Sequence, residues 1–184
     1  MAMNSVFTGK NGTLQLSVID SPEGADAKLI FQSYGGTDSP PLGRVTDVQV
    51  FVQTDLEEFH EIGRRHPVSL HPGDIHIFGK IGRAYVHGGM LSLLLGRGVA
   101  SNSIAEPYVQ PAFGMILDLK DPAVPGNEAK LVLDGVKLQN WAQTIPEDDF
   151  VIENVDFRAL TIHVIDAEAA AGGGSPTEHK PFAS

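Results

Sequence analysis

VTDVQVFVQTDLEEFHEIGRRHPVSLHPGDIHIFGKIGRAYVHGGMLSLLLGRG, residues Val45–Gly98, decides the fold class. It opens on alternation: Val48, Val50 and Val52 point one way along an extended chain, Gln49 and Gln53 the other. A period of two marks a strand with one buried face. A long polar connection, Thr54 to Gly73, follows and contains Pro67 and Pro72. Within it Asp55–His60 stands between a helical turn and a strand, because LEEF carries helix formers in a strand-length window. Alternation then resumes through Ile75, Ile77, Gly79 and Ile81 against His76, Phe78 and Lys80, and runs out into Gly82-Arg83-Ala84-Tyr85. Gly89–Leu95 reads as a short helix. Met90, Leu91, Leu93, Leu94 and Leu95 make it too apolar for a free surface helix, so it is expected to flank a sheet, closed by Gly96 or Gly98.

Outward from this stretch the same reading continues. Leu14, Leu16 and Val18 alternate with Gln15 and Ser17, and Lys28–Tyr34 is predicted to be a second strand. Gly35–Gly43 (GGTDSPPLG) is a turn-rich loop. Ala112–Leu119 is a strand ended by Asp121-Pro122, and Ala129–Leu133 with Val136–Thr144 is predicted to form a hairpin around Asp134-Gly135. The last strand, Phe150–Asp166, changes phase near Arg158-Ala159. Its apolar positions pass from Val155 and Phe157 to Leu160, Ile162 and Val164, as a bulge or a sheet-crossing bend requires. The expected fold is mainly β: an antiparallel two-sheet sandwich or barrel with one short flanking α-helix. Residues 1–166 are expected to form a single domain. Residues 167–184 (AEAAAGGGSPTEHKPFAS) are expected to be a flexible C-terminal tail.

Composition narrows the function. The chain has 184 residues, enough for one real core, and 20 Gly and 12 Pro, the punctuation of many short strands. It has no cysteine, which removes disulfides, thiolate metal sites and cysteine nucleophiles. A net charge of −10 repels nucleic-acid phosphates and anionic membranes, so sequence-specific nucleic-acid binding is not expected. The first twenty residues show no secretory signal pattern, and Met90–Leu95 is too short to span a bilayer, so no membrane insertion is expected.

Signs of chemistry are sparse. His60, His66, His71, His76 and His87 cluster in sequence, but neither His-x-His nor His-Glu-x-x-His occurs. His71–Gly79 (HPGDIHIFG) superficially resembles the motif of the cupin barrels, whose paired histidines and following glutamate are missing. There is no Gly-x-Ser-x-Gly elbow, and Ser92, set between leucines, reads as a packing hydroxyl. Gly96–Ser103 is glycine-rich but lacks the Gly-Lys-Ser/Thr cradle for phosphate, so it reads as a loop. Glu57-Glu58 and Glu147-Asp148-Asp149 read as solvated loop charge. Arg83 is set to pair with an acid on a neighbouring strand or subunit, and its plain reading is an ordinary cross-strand ion pair of small value. No catalytic residue, metal site or cofactor is expected.

One resemblance covers roughly residues 10–166. The pattern is a strand followed by Thr54-Asp55-Leu56-Glu57, then Glu61-Ile62-Gly63-Arg64-Arg65-His66-Pro67, Leu70 and Gly73. A strand from Ile77 to Tyr85 (I-x-G-x-I-x-R-A-Y) and a leucine-rich helix ending in Gly96 follow, with a long strand, Phe150–Asp166, before a variable tail. This resembles the tail tube proteins of tailed bacteriophages. The resemblance implies two packed sheets, inner sheets joined between subunits into a continuous barrel, typically hexameric rings, and rings stacked into a hollow conduit for DNA ejection. It implies self-association, contact with tape-measure and other tail proteins, non-specific passage of DNA, and a place in the virion tail after synthesis in the host cytoplasm. An acidic protein suits a lumen that repels phosphate. On that reading Asp55, Glu57, Glu58, Arg64, Arg65 and Arg83 are candidate contacts between subunits or rings, with Gly35–Gly43 and the N-terminal segment as secondary ones. Asp47, Asp156 and Glu153 are candidate lumen charges, of which at most one of Asp156 and Glu153 can face the lumen. Alternation puts Glu153 on the opposite face from Asp156. Secretion-machine tubes, tail terminators and baseplate proteins are the related alternatives. A metal- or ligand-binding β-barrel enzyme is the unrelated one.

Overall fold

The computed structural model describes residues 7–97, 109–122, 124, 126–168 and 177–179. Among them are eight strands and two helices. In chain order they are β1 (Gly12–Ser17), α1 (Pro22–Gly35), β2 (Val45–Phe59), β3 (Ser69–Ala84), α2 (Gly89–Leu95), β4 (Phe113–Lys120), β5 (Glu128–Thr144), β6 (Ile152–Ala159), β7 (Thr161–Glu168) and β8 (Thr177–His179). All pairings are antiparallel. Strands β1, β4, the first half of β5, β7 and β8 make one wing, and the second half of β5, β6, β3 and β2 make the other. The mainly β, antiparallel architecture expected from alternation is observed, as one eight-stranded sheet curled into a half-barrel.

The two wings share long strands that bend together. β5 runs unbroken through Gly135, which has φ 65°. The predicted hairpin at Asp134-Gly135 is therefore corrected to a bend within one strand. A type I′ turn needs two consecutive residues at positive φ, and here only the glycine has it. The reversal between β4 and β5 lies earlier, at Asp121–Asn127, where Gly126 has φ 100° and Asp121 N–H donates to the Asn127 carbonyl. Opposite Gly135 the partner strand breaks between β6 and β7 at Leu160, whose N–H donates to the Asp134 carbonyl at 3.0 Å. This is the bend that the phase slip near Arg158-Ala159 foretold. A Cβ on Gly135 would strike the Leu160 side chain, so the glycine is needed on steric as well as conformational grounds.

The predicted strand Lys28–Tyr34 is also corrected: it is the second half of α1. Ser21 caps the helix by accepting from Gly24 N–H at 3.0 Å, Pro22 opens it, and Gly36 at φ 68° closes it. Gly24, Ala27 and Phe31, spaced three and four apart, form its buried stripe. Ser21→Ala is expected to cost about 1 kcal/mol, read as a fall in the urea midpoint at unchanged slope. α2 matches its expected bounds and ends at Gly96 with φ 58°; Gly98 lies outside the described residues.

The core lies between the curled sheet and the two helices. Phe31, Met90 and Leu93 from the helices meet Leu14, Leu16, Ile77, Ile81, Phe113, Met115, Leu133, Val136, Leu138, Val155 and Phe157. On β3 the inward position Gly79 leaves room for the Phe157 ring lying across it. A Cβ there would overlap both that ring and the Gln49 carbonyl oxygen. Gly79→Ala is therefore expected to destabilise by about 1–3 kcal/mol, checked by chemical unfolding. At the end of the chain β7 reaches Glu168, and β8 adds a strand beside it within the stretch 167–184.

Candidate assembly surfaces

Three surfaces stand out once the strands are placed. The first is a pair of open sheet edges. Among the described residues, β2 carries β3 on one side and no strand on the other. At the far side of the same wing, Gln139–Thr144 of β5 carries only β6 among the described residues. Each of the four strands is antiparallel to its neighbour, so the two outer edges run in opposite directions. The edge of β1 is different. Pro40–Leu42 covers it, through Leu16 N–H to the Pro40 carbonyl (3.1 Å) and Leu42 N–H to the Leu14 carbonyl (2.8 Å). That is where the loop Gly35–Gly43 goes. Residues 1–6 and the 98–103 part of Gly96–Ser103 lie outside the described residues.

The second surface is the outward face of that four-stranded wing. Register sets its rows. Lys137, Arg158, Phe78 and Phe51 form one, Asn140, Asp156, Lys80 and Gln49 the next, and Ala142, Asn154, Gly82 and Asp47 the third. Asp47 and Asp156 therefore share this face, while Glu153, one residue out of phase with Asn154, points into the core and is fully buried. Lys80, Arg158 and Lys137 share the face with the two aspartates. The chain's excess negative charge therefore lies elsewhere, and the face is polar and close to charge-balanced. Asn140 Nδ2 donates to Asp156 Oδ2 at 2.9 Å and Arg158 Nε to Gln139 Oε1 at 3.0 Å. Phe51 and Phe78 stack on it with ring centroids 5.5 Å apart.

The third surface is an arm. β6 pairs with β3 only from Ile77 onward, so Gln53–Phe59 and Ser69–His76 leave the sheet as a two-stranded ribbon. The ambiguous Asp55–His60 is thus strand as far as Phe59, and the polar connection Thr54–Gly73 is mostly hairpin. Asp55, Glu57, Glu58, Arg64 and Arg65 all lie on this arm and are exposed. Asp55 Oδ2 lies 3.5 Å from His76 Nε2, Glu58 Oε2 3.2 Å from His60 Nε2, and Glu61 Oε2 3.5 Å from Arg64 Nε, while Glu57 sits opposite His71. These are solvated pairs of small individual worth.

Arg83 does not join them. It is 2% exposed and paired inside the subunit with Glu153, whose other oxygen accepts from Trp141 Nε1 at 2.8 Å. Arg83 Nη2 also donates to the His87 carbonyl at 3.3 Å, tying the end of β3 to the approach to α2. The plain reading of a weak surface pair is thus replaced by a buried triad of Arg83, Glu153 and Trp141. The signal was present in the sequence: Glu153 shares phase with Val155 and Phe157, and a carboxylate on a buried face requires a cation.

Among the described residues no three His, Asp or Glu side chains converge as a metal site would require, and no helix is long and apolar enough to cross a membrane.

No protein-family model matches the sequence, and no curated protein sequence matches it. Solved structures do share the fold. A chain of the sheath–tube complex of PVC, an extracellular contractile injection system, superposes with TM-score 0.60 at 9% identity, over 89% of this chain and 94% of that one. A chain of the tube-terminating cap of the anti-feeding prophage does so with TM-score 0.60 at 9% identity, over 91% and 95%. The SPP1 tail tube follows with TM-score 0.54 at 11% identity, over 90% and 81%. By these superpositions the chain has a tail-tube-like fold.

Proposed function

We propose that the chain is a structural subunit that polymerises as stacked rings into a hollow tube of the phage-tail or injection-system kind, and that it catalyses no reaction. The observation that carries this reading is the pair of open, oppositely directed edges on one four-stranded wing. An exposed edge strand is a pairing template that a stable monomer must blunt. If β5 Gln139–Thr144 of one copy lies along β2 of the next, the antiparallel order continues across the boundary and both edges are consumed. The contact is heterologous, and repeating it gives a ring where the rotation from copy to copy closes.

In such a ring the wings join into one barrel wall. Its lining is the outward face described above, with Asp47 and Asp156 toward the channel. Lys80 and Arg158 offset them, so the lumen is polar and near neutral instead of acidic. The arm carrying Asp55, Glu57, Glu58, Arg64 and Arg65 is the contact between subunits or rings. Hexameric rings, passage of DNA, association with a tape-measure protein and other tail proteins, and a place in the virion tail after cytoplasmic synthesis complete the reading. A terminator or cap, a single ring closing a tube, is the second reading, favoured by the equally good superposition on the anti-feeding prophage cap.

Negative-stain electron microscopy over a concentration series tests both. Hollow tubes of uniform diameter are expected; discrete single rings that never stack would favour the cap. A protein that sediments as a monomer at every concentration, including in sulfate, which strengthens apolar burial, overturns the assembly reading.

A further inference from the structure

Between α1, α2 and the segment that leads into β2 lies an apolar cavity of about 220 Å³. Ile30, Tyr34, Leu42, Val86, Met90 and Leu93 line it, and Arg44 stands among them. One wall is stiffened by Tyr34 stacked on the His87 ring with centroids 4.8 Å apart. The loop beside it is held to α1 by Lys28 and Gln32, whose hydrogen bonds keep the Asp38 carboxyl below its ordinary range. The size is informative. Pockets for drug-sized ligands start at about 300 Å³, whereas about 150 Å³ of apolar cavity suffices for one benzene ring. This cavity suits one or two side chains of a partner, not a cofactor.

Arg44 points to the chemistry of that partner. It is exposed and makes no ion pair among the described residues. Its φ is 61°, in the left-handed region that a glycine adopts freely and a residue with a Cβ rarely does. A cation kept at a strained position on the rim of an apolar cavity suits a knob that pairs an aliphatic side chain with a carboxylate.

The arm carries that knob. Ile62 is 107% exposed at its tip, beside Glu61, and Leu56, Phe59, Val68 and Leu70 are more than a third exposed along it. A two-stranded ribbon of this kind is marginal in water without something to pack on. It cannot fold back to the cavity of its own subunit. β2 starts next to Arg44 and runs 15 residues to Phe59, so cavity and tip stand at opposite ends of the same strand pair, roughly 50 Å apart at the usual rise per residue.

We propose that the cavity is the receptor for the arm tip of a second copy, with Ile62 seated among Ile30, Leu42 and Met90 and Glu61 paired with Arg44. Donor and acceptor at opposite ends of one strand pair join copies head to tail along the strand direction, so this contact stacks rings instead of closing them. The inference rests on the assembly reading above and names the site through which it acts.

The chain has no cysteine, which makes cross-linking clean. Mixing Ile62→Cys and Val86→Cys proteins under mild oxidation is expected to give the mixed disulfide dimer as the main cross-linked species by intact mass, and few homodimers. Ile62→Asp, at a position that cannot disturb the core, is expected to raise the concentration needed for stacking by roughly tenfold or more, the factor for losing one buried aliphatic side chain. Arg44→Glu is expected to do likewise, and Glu61→Arg to restore stacking to it. Tubes that form normally from Ile62→Asp protein without the mixed disulfide overturn the receptor and leave the tube reading intact. Wild-type protein that neither assembles nor cross-links overturns both.

Discussion

Arg83→Met is expected to lower stability by about 3–5 kcal/mol, the cost of breaking a buried ion pair from one side. Glu153 is fully buried and keeps only the Trp141 Nε1 donor once the guanidinium is gone. Its carboxylate then has no counter-charge in a medium that solvates it poorly. The variant also loses the donor to the His87 carbonyl, which fixes how β3 leads into α2. Glu153→Leu alone is expected to be similarly costly, since it strands the arginine. The double variant Arg83→Met/Glu153→Leu replaces both charges with apolar groups and is expected to recover much of the loss. Urea unfolding with a shared slope measures all three. A single-variant loss below about 1 kcal/mol, the range of exposed pairs, would show that the pair is not buried in solution.

Phe113→Ala should produce a loss of comparable size, about 3–5 kcal/mol for emptying a buried phenylalanine site. Phe113 is fully buried at the start of β4, and its ring meets Phe31 of α1 edge-on, with centroids 6.0 Å apart and planes at 79°. This contact joins the sheet to α1, so the effect should be uneven. Amides of α1 are expected to lose hydrogen-exchange protection before those of β3 and β6. Phe31→Ala should act on the same element, and the double-mutant cycle should show coupling of about 0.5–1.5 kcal/mol, the worth of an edge-on aromatic pair beyond its burial. Additive losses would mean that the two rings stabilise the protein independently.

On the proposed assembly, subunit stability and association are held by different residues. The buried triad and the Phe31–Phe113 contact set the body, while the arm and the open edges contribute little to it. Substitutions on Asp55, Glu57, Glu58, Arg64 or Arg65 should leave the unfolding midpoint close to that of the parent protein and act only on association.

Alternation by itself determined the strands whose two faces meet different media. Val48–Val52, Ile75–Ile81 and the last strand with its phase slip were legible because a period of two survives wherever one face is buried and the other wet. The apolar helix Gly89–Leu95 was legible for the opposite reason, being too greasy to stand alone. Lys28–Tyr34 was misread because its apolar residues satisfy a short strand window, and the decisive signals, Ser21, Pro22 and Gly36, lie at and beyond its borders. Asp134-Gly135 was misread because a glycine that bends a strand and one that reverses it carry the same letter; only Leu160 packed against it decides. The arm charges were visible as charges, but nothing local says that β6 stops short and leaves them on a free ribbon. Arg83 shows the limit most directly. Its partner is distant in sequence, and whether such a pair is a weak surface contact or a buried lock depends on how deep the surrounding sheet places it, which is a property of the packed fold and not of any stretch of chain.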